Sequence, residues 1–363
     1  MYNESIINET LDYTRDIVIE KIHELTIKKS KIKDAYSTLY QYLLDYPFRK
    51  GKALRPAICI SVARAVGGMA QSALISSAAL EMYHNAFLVI DDCQDYSEKR
   101  RGKETMHRML DLPRAINIGN ATNVLALGFL LENLKSIGVS KALYIMHEIE
   151  QMARKSVEGQ AMELDWIANN TFNLKDTDYI MMCKFKTCYY TIAEPCRIGY
   201  IIGNKLWNEM EVNKSLHILT EFGMSLGIAF QIQDDLLNLT GEIEKYGKEI
   251  GGDIFEGKRT IMLNHVISNS GIHSKLIKDI LRKPRSEKTE KDVEFILNEM
   301  KRCGSIEHGK KLAQKYAHKA QVLLDEMTFL RSSSIQPEEQ WECEFADRRF
   351  IAELVNYVVY RNL

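Results

Sequence analysis

The stretch Phe87-Leu88-Val89-Ile90-Asp91-Asp92-Cys93-Gln94-Asp95 sets an apolar run directly against three carboxylates. On a helix, Asp91 and Asp95 share a face, and Asp92 lies about 100° round from Asp91. Clustered carboxylates repel one another, which favours protonating one of them or sharing a cation between them. Oxygen donors with neither His nor Cys among them suit Mg2+, which takes a few carboxylates and fills its other positions with water and phosphate oxygens. The plainer alternative is a solvated acidic face. Four apolar residues leading straight into the acids argue against it.

Working back from Asp91 in fours reaches Phe87 and Tyr83, while Ala86 lies five residues before it and His84 seven. A helix expected over Gln71 to Tyr96 would then put carboxylates at one end of a face and two bulky aromatics farther down. That arrangement predicts a cavity with a polar mouth and a greasy floor. Just past the acids come Arg100-Arg101-Gly102, whose guanidinium groups complement the oxygens of a metal-bound anion.

The acid pattern returns once, in Phe230-Gln231-Ile232-Gln233-Asp234-Asp235-Leu236-Leu237-Asn238. Asn238 stands where the first stretch has its third acid, and it can offer an oxygen or hold a metal-bound water. Downstream, Lys248 and Lys258 bracket the pair Gly251-Gly252. Near the start, Arg49, Lys50, Lys52 and Arg55 lie around Gly51, ahead of a proline-started helix. Pro suits a first helical turn, and Lys and Arg offer charge and fork geometry to a phosphate; an exposed basic turn is the alternative. Lys186-Thr187 interrupts an apolar helix expected over Tyr179 to Gly203. A buried lysine there needs a partner, unless it snorkels to the surface. Two acidic helices facing each other across a basic rim form the expected geometry for Mg2+ and a diphosphate. His107 has no neighbours that would make a catalytic triad.

The 363 residues are 45% hydrophobic and 27% charged, with a net charge of -1. These values fit a globular protein with ample core and give no general attraction to nucleic acid. No uninterrupted apolar run reaches the roughly 20 residues that span a bilayer, and no secretion signal opens the chain, so a cytoplasmic location is expected. Seven cysteines form no CxxC pair, and Cys183, Cys188 and Cys196 lack zinc-site spacing.

Prolines are few, and long stretches carry apolar residues three and four apart, as in Ile145, Ile149 and Met152. This periodicity predicts an all-α protein, and short breaks without linker composition predict a single domain over 1–363. Helices are expected over 4–27, Glu287 to Met300, Gly304 to Leu330 and Phe345 to Tyr360, with a loop over Arg331 to Gln340. The tail at 341–363 is expected to dock on the body, with the active-site mouth or a subunit edge as alternatives.

Asp91-Asp92-x-x-Asp95 with Arg100-Arg101-Gly102, and Phe230-Gln231-x-x-Asp234-Asp235-x-x-Asn238, resemble the two aspartate-rich motifs of the trans-isoprenyl diphosphate synthases, the polyprenyl synthetase family. Gly51-Lys52-x-x-Arg55-Pro56, Lys186-Thr187 and the Lys248 to Lys258 segment fall in family order, so the resemblance covers about 45–325. It implies an isoprenoid synthase fold with helices around a central cavity, a homodimer, and three Mg2+ ions per active site. It also implies that Asp91, Asp95 and Asp234 bind Mg2+, with Asp92, Asp235 and Asn238 in support. Arg100, Lys186, Lys248 and Lys258 would then hold an allylic diphosphate. Lys52, Arg55, His84 and Arg101 would hold isopentenyl diphosphate, and Thr187 and Gln231 would face the allylic cation. Tyr83, Ala86 and Phe87 would set product length, with C20 expected and C15 the alternative. Asn238 occurs at this position in some geranylgeranyl-producing relatives. Ala53 departs from a commonly basic position. A terpene cyclase or a non-catalytic partner subunit are the rival functions, and the two diphosphate sites argue against both.

Overall fold

The structure, a computed structural model, describes residues 3–30, 36–49, 51–205, 208–241, 250–332 and 339–360. Lys248, and most of the loop expected over Arg331 to Gln340, lie outside the described residues. Helices α1 Glu4–Ser30, α2 Ser37–Leu43, α3 Asp45–Phe48, α4 Leu54–Ala65 and α5 Ala70–Gln94 come first. A hairpin follows, β1 Lys99–Arg100 paired antiparallel with β2 Lys103–Glu104. Then come α6 Met106–Met109, α7 Leu112–Leu130, α8 Asn133–Ser136 and α9 Val139–Ala168. α10 Asp176–Cys183 runs through a π-helical segment, Lys184–Ala193, into α11 Glu194–Gly203. α12 Glu209–Thr240 and α13 Gly252–Glu256 follow, then α14 Ile261–Asn269 and α15 Ser274–Arg282. α16 Glu290–Arg302, α17 Ser305–Glu326 and α18 Arg348–Tyr360 complete the described chain. The all-α expectation holds, with the hairpin as the one strand pair among the described residues.

Local chemistry starts these helices where the chain needs them. The Asn208 side chain accepts from the backbone N–H groups of Met210 (3.2 Å) and Glu211 (3.3 Å) at the head of α12. Glu209 and Glu211 add charge that favours the helix N-terminus. At α16, Thr289 and Asp292 exchange side-chain to backbone bonds, a capping box. In α1, Ile7, Leu11, Ile22 and Leu25 are buried as their spacing requires.

Two apolar clusters carry the packing. One joins α1, α4, α5, α7 and α18; the other joins α10, the second half of α12 and α14 to α16. α5 is long and apolar enough to cross a membrane by length and composition, which uninterrupted runs in the sequence did not show. Here 67% of that stretch is buried inside the bundle, packed against α1, α4 and α7.

The helix expected over Tyr179 to Gly203 is three segments, and its middle is the π-helical one. α9 lies against it at backbone distance. A Cβ on Gly159 would fall 2.2 Å from the backbone nitrogen of Lys186, so only glycine lets the two helices meet there. π turns are rare and concentrate at functional sites. This one carries Lys186 and Thr187.

Candidate active site

The acid-bearing ends of α5 and α12 meet at a polar cavity of about 410 Å³, lined by Asp91, Asp95, Arg100, Asn238, Asp253 and Lys258 among others. Asp92, the second acid of the first stretch, is fully buried instead. It accepts from the Tyr46 hydroxyl (2.7 Å) and from Arg100 Nε (3.1 Å). Burial and the Asp92 charge hold the Tyr46 phenol above its ordinary range, so it stays a donor. Asp95 is pushed up to about 7, first by burial, with Asp91 and Glu256 adding to the rise and Lys258 opposing it.

Lys258 crosses from the second site to the first. Its ammonium lies 3.0 Å from Asp95, 2.7 Å from Glu256 and 3.7 Å from Asp253. Lys186 does not snorkel: it meets Glu163 of α9 and sits 3.4 Å from Asp91. Glu163 was missed in the sequence. The need of Lys186 for a counter-charge was the signal that could have pointed to it.

On α12, Asp235 is buried and accepts from the Tyr179 hydroxyl (2.5 Å) and from Gln231 Nε2 (2.8 Å). Gln231 in turn accepts from Thr187 (2.9 Å), so the π segment is tied to the second acid stretch. Burial pushes Asp235 up to about 7; the bonds from Tyr179 and Gln231 oppose the rise and Asp234 adds to it. Asp234 is half-buried, one turn before Asn238 on the same face. Asn238 Oδ1 accepts from the Asp253 N–H (3.1 Å), and its backbone carbonyl accepts from the Gly251 N–H (2.7 Å). Asn238 therefore clips α13 onto α12 and delivers Asp253 to the polar cavity.

The basic residues near the start of α4 form a second group. Lys52 donates to the Tyr357 hydroxyl (2.6 Å). Arg55 donates to Thr191 (2.8 Å) and lies 4.3 Å over the Tyr190 ring. Arg101 donates to the Tyr46 carbonyl (2.7 Å). It occupies the hairpin turn at φ +53°, beside Gly102 at +74°, a positive-φ pair that tight hairpin turns demand. The guanidinium covers Gly51, where an added Cβ would meet it at 2.4 Å. His84 is half-buried, its ring 6.0 Å from that of Tyr190.

An apolar cavity of about 660 Å³ adjoins this centre, with Asp91 common to both cavities and Lys186 on its wall. Phe87 lines it and packs edge-on to Tyr190 at 5.5 Å. Tyr83 and Ala86 are buried behind that wall, the Tyr83 ring 6.3 Å from Phe87. α7 and α9 supply the other walls, including Ile116 and Val157.

Among the described residues, no three His, Cys, Asp or Glu side chains converge closely enough to hold an ion by themselves. The oxygen donors lining the polar cavity nonetheless fit Mg2+, which draws on one or two carboxylates and completes its shell with water and phosphate oxygens.

The polyprenyl synthetase family profile matches residues 36–300. The geranylgeranyl diphosphate synthase of Saccharolobus solfataricus is 33% identical over 293 residues, 80% of this chain and 84% of that protein. The octaprenyl diphosphate synthase of Escherichia coli is 30% identical over 285 residues, 76% of this chain and 81% of its own length. The solved geranylgeranyl pyrophosphate synthetase of Pyrococcus horikoshii superposes with a TM-score of 0.80 at 27% identity, over 99% of both chains. With its paired acid stretches, basic rim and adjoining apolar cavity, the chain belongs to the polyprenyl synthetase family of isoprenyl diphosphate synthases.

Proposed function

We propose that the chain condenses isopentenyl diphosphate with an allylic diphosphate in a Mg2+-dependent reaction. The observation that carries this reading is the pair of joined cavities: one polar and ringed by acids and cations, one apolar, with Asp91 common to both. Such a site suits a substrate with a doubly charged head and a hydrocarbon tail.

Mg2+, held through Asp91, Asp95 and Asp234, would neutralise the diphosphate and make it a leaving group. Asp92 and Asp235 support that set from behind, by fixing Arg100 and Gln231. Asn238 serves it through Asp253. Arg100, Lys186 and Lys258 bind the allylic diphosphate, and Lys248 joins them as a proposed fourth cation. The C–O bond breaks with its electron pair leaving on the diphosphate. The double bond of isopentenyl diphosphate attacks the allylic cation, and a proton passes from the new adduct to the departing diphosphate. Thr187 and Gln231 turn oxygen dipoles toward the cation. Apolar walls exclude the water that would quench it. Lys52, Arg55, Arg101 and His84 hold the second, metal-free diphosphate.

Phe87, on the cavity wall, limits the growing tail, with Tyr83 and Ala86 behind it. The product is C20, with C15 the alternative. Relatives named for different chain lengths match at similar identity, so identity favours neither length over the other. Val124, Leu127, Leu131 and Leu143 present exposed apolar side chains on α7 through α9. This face supports a homodimer.

The test is incubation with Mg2+, isopentenyl diphosphate and C5, C10 or C15 allylic diphosphates, with the product sized. A linear C20 or C15 diphosphate is expected, and Phe87→Ala is expected to lengthen it. A cyclic hydrocarbon formed without isopentenyl diphosphate would overturn the reading in favour of a cyclase. No turnover would favour a non-catalytic subunit.

A further inference from the structure

The cations of the two proposed diphosphate subsites are held in different ways. Arg100 meets Asp92, Lys186 meets Glu163 and Asp91, and Lys258 meets Asp95 and Glu256. Lys52, Arg55 and Arg101 form no ion pair among the described residues. Their partners are a phenol, a threonine hydroxyl, a backbone carbonyl, the amide oxygen of Asn85 and the face of an aromatic ring. A carboxylate would fix such a side chain but would also cancel much of its charge for an incoming anion. A diphosphate that brings no metal must find its positive charge in the protein, so neutral holders suit this subsite.

Lys52 is the member most in need of a holder. Its residue is exposed, and a flexible four-carbon stem loses rotamer freedom when its ammonium is fixed. The partner comes from 305 residues away, on α18. That helix is anchored along α4. Arg64, at the far end of α4, pairs with Glu339 (2.9 Å) and donates to the carbonyl of Ala346 (2.8 Å). The Arg331 N–H bonds to the Ala65 carbonyl (2.9 Å). Phe350, Ile351 and Leu354 are buried, and α18 packs on α1, α4, α12 and α17. The segment leading into α18 is thus pinned at one end of α4, and Tyr357 arrives at the other end, beside Lys52.

We propose that Tyr357 is a positioning residue for the isopentenyl diphosphate subsite, its hydroxyl fixing the Lys52 ammonium while leaving the charge available to substrate. The inference rests on the functional reading above and adds α18 to the wall of that subsite. It also decides what the C-terminal helix does: it docks on the body and in doing so orders a substrate-binding lysine.

The test is steady-state kinetics on the full chain with Tyr357→Phe, Lys52→Ala and the double variant. Tyr357→Phe is expected to raise the KM for isopentenyl diphosphate about fivefold, the scale of one ordinary hydrogen bond lost at a solvent-accessible site. The KM for the allylic substrate and kcat should stay within about twofold. In the Lys52→Ala background, removing the hydroxyl should change the isopentenyl diphosphate KM by less than about twofold, since contacting residues are not additive. An unchanged KM in Tyr357→Phe would overturn the assignment. So would an equal rise for both substrates, or the same rise when Lys52 is absent. If the unaltered protein consumes no isopentenyl diphosphate, the functional reading fails, whatever Tyr357→Phe does.

Discussion

α5 and α12 each carry an acid pair, yet they hold the buried member of the pair differently. Asp92 on α5 is met by a guanidinium and a phenol, from Arg100 and Tyr46. Asp235 on α12 is met by a phenol and an amide, from Tyr179 and Gln231. Both are taken out of water, but only Asp92 gains a charged partner in exchange, and Asp235 sits up at about 7. The forward ends differ too. α5 presents a carboxylate at Asp95, whereas α12 presents Asn238, which draws Asp253 into the cavity through its backbone. The second stretch therefore reaches its full acid complement by recruiting from α13. A departure in the motif need not be a loss at the site.

The comparison breaks most sharply at the forward acids. If both helices serve one metal cluster, Asp91→Ala and Asp234→Ala should each lower kcat/KM by roughly a thousandfold. A much milder Asp234 variant, in a turnover assay at saturating Mg2+, would show the second stretch to be accessory. Next in size, Asn238→Leu should remove the acceptor of the Asp253 N–H and raise the Mg2+ concentration needed for half activity about tenfold, the scale of losing an outer-shell partner. Asn238→Asp keeps the acceptor and should lower that requirement.

Loss of the neutral donor should then tell the buried acids apart. Tyr179→Phe should cost about 1–3 kcal/mol at pH 8, measured by urea unfolding without metal, and less at pH 6, where Asp235 holds its proton. Tyr46→Phe should cost about 1 kcal/mol, because Arg100 still faces Asp92.

The pH dependence of stability tests two buried acids at once, one from each acid stretch. Asp95 and Asp235 rise from an ordinary 3.8 to about 7. Between pH 4 and 7, the folded chain therefore keeps protons that the unfolded chain has released. Raising pH through that window destabilises the metal-free protein, the opposite sign to a salt-bridged aspartate. On the proposed reading Mg2+ binds ionised carboxylates, so its increment in Tm should be larger at pH 8 than at pH 6. An increment independent of pH would mean that neither acid releases its proton to the ion.

The helices were legible because their period of burial is local, and the motif acids because three carboxylates at one helix end have few other uses. What was hidden lies between residues far apart in the chain. Tyr46 and Tyr179, the holders of the buried acids, carry no mark in their own neighbourhoods. Tyr357, inside the terminal helix, carries no such mark either. Glu163 was hidden for the same reason, although Lys186 demanded a partner. The π-helical segment leaves the apolar spacing helix-like, so composition alone could not tell it from an α-helix. The cavity's α7 and α9 walls were missed because length was sought only along α5.

One covalent link deserves a last look: the peptide between Arg100 and Arg101 in the hairpin. Arg100 turns back to Asp92, while Arg101, held at positive φ, reaches over Gly51 to the Tyr46 carbonyl. On the proposed reading, two neighbouring side chains thus serve two different diphosphates, and their Cα atoms are held about 3.8 Å apart by bond geometry. Elsewhere the spacing of the site depends on how helices settle against one another, with the slack that such packing permits. Across this turn the tolerance is that of a single peptide unit.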